Sequence, residues 1–185
     1  MRVNWVLADS LVLDPMADIT AMKNCGSLWG SWRTWRSCQT DNVICHSMSK
    51  ADELIKRSFN TVSNFYIQDS VYVSLNRPES VNLYKGDFVH DVEQQEEIVA
   101  MHLALSCSDI ILLLGFDLTE PVKNPDRLAE HRAHNYRQLV RQVIASNEQI
   151  QWVLVDHPGP IMKEMSSLEN LNQDSLNSVL KLLGS

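Results

Sequence analysis

The sequence predicts a single domain of the three-layer α/β/α class, with about five mostly parallel strands between two layers of helices. The run Ile110–Leu114 is apolar without a break, as expected for a central parallel strand with helices on both faces. Strand-like and helix-like segments alternate about five times, which is typical of parallel strands joined by right-handed crossovers. The 185 residues, 44% apolar and 21% charged, suit one globular domain.

Five short segments have the apolar or β-branched character of strands. They are residues 3–8, 42–46, 71–75, 110–114 and 152–155. Each is followed by polar or turn-forming residues, as expected where a strand enters a loop. Residues 81–84 are predicted as a short additional strand.

Capping residues and apolar spacing predict the helices between these strands. Asp14 and Pro15 begin the first as cap and first helical residue, and Asp91 caps the third. Glu96 and Glu97 in the first turns of that helix suit its positive end. The helices are predicted at about 14–24, 50–66, 92–106, 126–147 and 173–183. The alternation predicts a Rossmann-like or flavodoxin-like fold, with the strand order left open.

Residues 27–36 carry three tryptophans at every third position. Trp29, Trp32 and Trp35 would share one face of a helix or 3₁₀ turn, with Arg33 and Arg36 beside that face. One interpretation is packing in the core or in a homo-oligomeric interface, where both residue types are enriched. The other is a surface that stacks a base or sugar while the arginines hold phosphate. Both interpretations stay open.

Composition disfavours several classes of partner. The net charge of −7 and pI of about 5.3 argue against a general electrostatic grip on nucleic acid. The arginines on the helix at 126–147, Arg137 among them, are therefore expected on a solvated face.

No apolar run approaches the ~20 residues of a membrane span, and Asp9 breaks the first run too early for a signal peptide. A cytoplasmic location is expected, with four reduced cysteines that are buried rather than bound to zinc.

Polar residues end every predicted strand, and in a parallel sheet these ends share one edge. Asp9, Asp117 and His157 are the candidate catalytic residues, because carboxylates and imidazole can orient or deprotonate a substrate. The structural alternatives are a turn cap at Asp117 and a rigid turn around His157.

The candidate ligand-binding residues offer a guanidinium group, a hydroxyl or close approach to the backbone. They are Arg33, Arg36, Arg77, Ser10 and Gly115. No glycine-rich phosphate fingerprint follows the first strand, so side chains, above all arginines, must supply the donors to any phosphate. The expected ligand is a phosphorylated small molecule such as a nucleotide or nucleotide sugar, acted on by a transferase; the cofactor is unknown. The alternative is a non-enzymatic oligomeric module that uses the tryptophan segment.

The segment SDIILLLGFDLTEP, residues 108–121, resembles the strand and turn of the central domains of sirtuin-like and thiamine-diphosphate enzymes. Those domains have an acid, an apolar run, a glycine, a small residue and a leucine. The resemblance departs at Phe116, where those families prefer a small residue near the nucleotide. The glycine-rich half of the sirtuin site is also absent. The resemblance therefore implies the sheet rather than a bound dinucleotide.

Overall fold

The structure, a computed structural model, describes residues 1–9, 17–58, 63–84, 96–119 and 126–184. Its strands are β1 (Val3–Leu7), β2 (Ser27–Ser31), β3 (Asn42–Cys45), β4 (Asn64–Gln68), β5 (Asn82–Tyr84), β6 (Ile110–Leu114), β7 (Gln151–Val155) and β8 (Leu171–Asp174). Its helices are α1 (Ala17–Cys25), α2 (Trp32–Cys38), α3 (Met48–Lys56), α4 (Asp69–Ser74), α5 (Glu96–Leu105), α6 (Arg127–Ala145), α7 (Lys163–Ser166) and α8 (Leu176–Leu183).

The eight strands of the described residues form one parallel sheet in the order β5-β4-β3-β2-β1-β6-β7-β8. The first five strands are laid down outward from β1, and the chain then returns to place β6 on the other side of β1. The predicted α/β class and its parallel sheet are confirmed, with eight strands rather than about five. The order reverses between β1 and β6.

Helices cover both faces of the sheet, as the unbroken apolar run predicts. On β1, Val6 packs into the cluster that includes residues of α5 and α6. Its neighbours Trp5 and Leu7 pack on the other face, in the cluster that includes residues of α1 and α8. Ile111 and Leu112 of β6 divide between the faces in the same way. The central strands are therefore buried on both sides, which explains why they read as continuous apolar segments.

Two predictions of element type are wrong. Residues 71–75 lie mostly in α4, because the chain starts a helix directly after β4 despite the β-branched residues. Propensities of this kind are weak and yield to tertiary context. Residues 27–31 form strand β2, so Trp29 lies on a strand while Trp32 and Trp35 lie on α2. The three tryptophans therefore do not share one helical face.

Two predicted helices are too long. The helix predicted at 50–66 ends at Lys56, and residues 64–68 form β4. The helix predicted at 173–183 begins at Leu176, because residues 171–174 add β8 to the edge of the sheet. The short strand predicted at 81–84 is confirmed as β5. Asp14 and Asp91, the predicted caps of two helices, lie outside the described residues.

No helix of the described segments is both long and apolar enough to cross a membrane.

A buried asparagine joins three segments near the amino-terminal end of the sheet. Asn4 donates through Nδ2 to Ser108 Oγ at 2.7 Å and to the Cys107 carbonyl at 3.2 Å. Its Oδ1 accepts from the indole N–H of Trp29 at 3.0 Å. Because Asn4 is 4% exposed, water cannot easily replace these bonds.

We expect Asn4→Ala to lower the free energy of unfolding by about 1–3 kcal/mol, because it leaves the buried indole N–H of Trp29 without its acceptor and the Cys107 carbonyl without this donor. Urea unfolding followed by far-UV circular dichroism measures the loss. Asn177→Ala, at an exposed position of α8, is the control and should change stability little. Equal unfolding midpoints for the two variants would contradict a structural role for Asn4.

Candidate functional site

The carboxyl ends of β1 and β6 lie side by side at the point where the strand order reverses. Leu7 pairs with Leu114, and the Ala8 N–H donates to the Leu114 carbonyl at 2.9 Å, which extends the pairing by one residue. Gly115 follows with a φ of 82°, a left-handed conformation that glycine adopts without strain. Doubly wound sheets bind ligands at this reversal. Asp9 and Gly115, both predicted from the sequence, therefore meet here.

Asp9 is held by the last residue of β2 and the first turn of α2. Its carboxylate accepts hydrogen bonds from the hydroxyls of Ser31 and Thr34, the latter at 2.8 Å, and from Nη1 of Arg33 at 3.2 Å. The side chain remains 28% exposed. The structure thus brings together Asp9 and Arg33, a predicted catalytic and a predicted ligand-binding residue, and fixes the carboxylate in one orientation.

Glu97 of α5, which the sequence interpretation placed only at the positive end of a helix, lies behind Asp9. One carboxylate oxygen accepts from the backbone N–H of Asp9 at 2.6 Å, and the other accepts from the hydroxyl of Tyr136 on α6. Burial raises the pKa of Glu97 to about 7, although these two hydrogen bonds and the charge of Arg33 oppose the rise. The group therefore titrates near neutral pH.

Glu96 makes the equivalent contact at the end of β3. Its Oε1 accepts from the backbone N–H of His46 at 2.8 Å, while Oε2 is buried without a hydrogen-bond partner among the residues described. Burial, with the charges of Asp9 and Glu97, raises its pKa to about 7. The Tyr84 hydroxyl forms a hydrogen bond with Nδ1 of His46, and burial raises the pKa of the Tyr84 phenol.

Asp117 lies at the margin of this edge. Its Oδ1 accepts from the backbone N–H and the hydroxyl of Thr119, at 3.1 and 2.6 Å, and the side chain is 63% exposed. Burial acts to raise its pKa, but the bonds from Thr119 and the charge of Arg137 outweigh burial and lower it. This geometry suits the turn-cap alternative, and the predicted catalytic role of Asp117 stays a prediction.

His157 has both ring nitrogens engaged by backbone groups. Nε2 accepts from the Leu118 N–H at 3.1 Å, and Nδ1 donates to the Gly159 carbonyl at 2.7 Å. Its neighbour Asp156 accepts from the Leu176 N–H at 2.9 Å, at the start of α8. These contacts join the loops after β6 and β7. The geometry therefore fits the rigid-turn alternative better than proton transfer, for which a ring nitrogen must face the substrate.

Three cations surround one tryptophan on α2. The charged groups of Arg33, Arg36 and Lys50 lie 5.2, 4.9 and 4.8 Å from the centre of the Trp32 ring, within cation–π range. We call these four residues the Trp32 cluster. Because Arg33 also contacts Asp9, the cluster adjoins the end of β1.

Two predicted ligand-binding residues are not brought to this site. Arg77 was expected at a strand end, but it lies in the connection from α4 to the amino-terminal end of β5, so that expectation is wrong. Ser10 lies outside the described residues.

One sequence signal could have identified Glu96 and Glu97. The rest of their helix is almost continuously apolar, and a helix that is apolar on all sides is buried. Acids on its first turn are then buried as well. Tyr136 carries no such signal, because it fits the apolar stripe of α6.

Comparison with known proteins adds no relative. No family model, no curated protein and no solved structure matches this chain. Across the described segments, no group of three or more histidine, cysteine or acidic side chains is arranged to hold a metal ion. The class of protein is therefore defined by the fold and this edge alone: a parallel α/β protein whose sheet reverses order beside two buried acids.

We expect the stability of the protein to fall between about pH 5 and pH 7 and to level off above. The folded state keeps a proton on Glu97 that the unfolded chain, with a pKa near 4.5, has already released. Glu97→Gln removes this penalty and keeps an acceptor for Asp9. It should raise the free energy of unfolding at pH 8 by about 1–3 kcal/mol and flatten the pH profile.

Urea unfolding from pH 5 to pH 9 measures the effect. Glu148→Gln makes the same chemical change at an exposed position and should leave the profile unchanged. A profile for Glu97→Gln that matches the native one would show that Glu97 is ionised in the folded protein throughout this range. Glu96 contributes in the same direction, so the single variant flattens the profile only in part.

Proposed function

We propose that this chain binds a phosphorylated small molecule, such as a nucleotide or nucleotide sugar, where β1 and β6 end, and transfers a group from or to it. The observation that carries the proposal is the reversal of strand order with Asp9 held beside it by Arg33 and Glu97. Two buried acids with raised pKa values at one strand edge are also typical of a functional site.

The Trp32 cluster supports the proposal that the ligand carries a phosphate. Arg33 is 53% exposed and Arg36 is exposed, whereas Lys50 pairs with Glu53. Cation–π contact with the Trp32 ring limits the conformations of both guanidinium groups before a ligand binds. In a chain of net charge −7, such a concentration of cations marks where an anion would bind. Guanidinium groups grip phosphate with paired hydrogen bonds.

Asp9 is the group that would act on the substrate. Its exposed fraction allows contact with a ligand hydroxyl, and the donors from Ser31 and Thr34 hold it in place. In a transfer reaction the proton of an acceptor hydroxyl would pass to this carboxylate. Glu97 has both oxygens engaged, so it is a positioning residue that fixes the backbone of Asp9.

Ligand-induced thermal shift tests the proposal. We expect nucleoside diphosphates or nucleotide sugars at millimolar concentration to raise Tm, and the matching nucleosides to leave it unchanged. Arg33→Ala together with Arg36→Ala should weaken binding by about tenfold or more, because the phosphate loses its charged donors. Arg132→Ala, an exposed arginine of α6, is the control.

The absence of a shift with every nucleotide and nucleotide sugar would refute the proposal. A shift that survives in the double variant would place the phosphate elsewhere.

The alternative, an assembly module built on the tryptophan segment, has less support. Trp29 is 5% exposed and packs in the core. Trp32 and Trp35 are half-buried against the cluster between α3, β3 and β4, and the Trp35 N–H donates to Ser63. Most of the tryptophan surface is therefore used inside the chain. The predicted homo-oligomer stays a prediction.

A further inference from the structure

We propose that Arg137 of α6 is the anchor of a second oxyanion subsite, beside the end of β6 and on the opposite side of β1 from the Trp32 cluster. The group that it would take is a phosphoryl or carboxylate oxyanion. That this oxyanion belongs to the same ligand as the first phosphate rests on the proposed function. The subsite itself rests on the burial and the weak pairing of Arg137.

Arg137 is a buried cation whose donors are incompletely used. The residue is 8% exposed, and its Nε is buried without a hydrogen-bond acceptor within the described part of the chain. Its nearest acid there is Asp117, whose Oδ2 lies 3.7 Å from Nη2, beyond hydrogen-bonding distance. A guanidinium offers five N–H donors and cannot lose its charge in a protein. Burying a charged guanidinium costs free energy, and this cost is expected to be offset where a bound anion completes the hydrogen bonds of the group.

Asp117 does not supply that pairing. Its side chain is 63% exposed, and its Oδ1 is engaged by Thr119. An exposed carboxylate at this distance contributes little to stability, because water and salt screen it. The Arg137 side chain is 10% exposed, so it is not fully closed off from this edge.

The position of Arg137 is fixed by its neighbour. Tyr136 stacks on Phe116, with ring centres 6.4 Å apart, and donates to Glu97. Arg137 then lies beside Asp117, the next residue after Phe116. The helix therefore presents the guanidinium to the turn that follows β6 at the reversal of strand order. A planar guanidinium group held in this way can donate two parallel hydrogen bonds to one oxyanion.

Titration with oxyanions tests the subsite. Inorganic phosphate and acetate are titrated separately, at constant ionic strength set with chloride, into the native protein, Arg137→Met and Arg132→Met. Thermal shift and isothermal titration calorimetry report binding. Arg132 lies on the same helix and is exposed, so its variant matches the change in charge without the burial.

We expect at least one oxyanion to raise Tm of the native protein and of Arg132→Met in proportion to the logarithm of its concentration, and to leave Arg137→Met unchanged. Without oxyanion, Arg137→Met should be at least as stable as the native protein, because it removes a buried, poorly paired charge. Phosphate without acetate would assign a phosphoryl group, and the reverse would assign a carboxylate.

Equal responses of all three proteins would overturn the proposal, because salts that are excluded from protein surfaces stabilise every protein alike. A large loss of Tm in Arg137→Met, with no specific oxyanion response in the native protein, would also overturn it and leave Arg137 a structural cation.

Two further variants keep the test decisive. Arg137→Lys keeps the charge and loses the fork, so oxyanion affinity should fall by about tenfold; unchanged affinity would overturn the proposal even where Arg137→Met does not fold. Asp117→Asn should tighten oxyanion binding, because it removes the neighbouring negative charge.

These outcomes separate the subsite from the proposed function. Nucleotide binding that depends on Arg33, with no response to phosphate or acetate that depends on Arg137, would refute the subsite alone. Inorganic oxyanion binding at Arg137 without any nucleotide shift would refute the function alone.

Discussion

The pairing of β1 with β6 is the interaction on which the rest of the structure depends. The first five strands run outward from β1, so the chain must return from the far edge to begin β6 beside it. The return places α5 across the sheet, where it packs against β1, β2 and β3. The first turn of α5 therefore lies over the ends of those strands, and Glu96 and Glu97 reach His46 and Asp9 because of the topology.

This placement has an electrostatic consequence. Each acid uses one oxygen to accept a backbone N–H just beyond a strand, where the ladder of the sheet no longer supplies a partner. The contacts lock α5 to the ends of β1 and β3, but they bury two carboxyl groups near Asp9, and both pKa values rise to about 7. Because Glu96 and Glu97 both change charge near neutral pH, the same edge is sensitive to the charge of a ligand.

Strands with a continuous apolar run could be predicted from the sequence, whereas β2 and β8, which contain glycine or polar residues, could not. Ile110–Leu114 is buried on both faces, so its composition alone identifies it. Ser27–Ser31 contains glycine and two serines, yet it is a strand because β1 and β3 pair with it on either side. Leu171–Asp174 is at the edge and pairs on one side only, so three exposed polar residues are tolerated there. In each case pairing partners distant in the sequence decide the structure, and local propensity does not.

The residues of the site also differ in whether the sequence could predict them. Asp9 and Gly115 were identified because strand ends share an edge once the sheet is parallel, whereas Tyr136 and Arg137 come from α6, whose depth in the fold its amphipathic pattern does not encode. Helix α6 is about 28 Å long and its neighbouring strand β6 about 17 Å, so part of α6 extends past the strand ends. Tyr136 and Arg137, at the middle of the helix, then lie level with the ends of β1 and β6. Sequence periodicity assigns Tyr136 to the apolar stripe of α6 and Arg137 to its solvated face. In the structure both residues belong to the same edge, at the ends of β1 and β6.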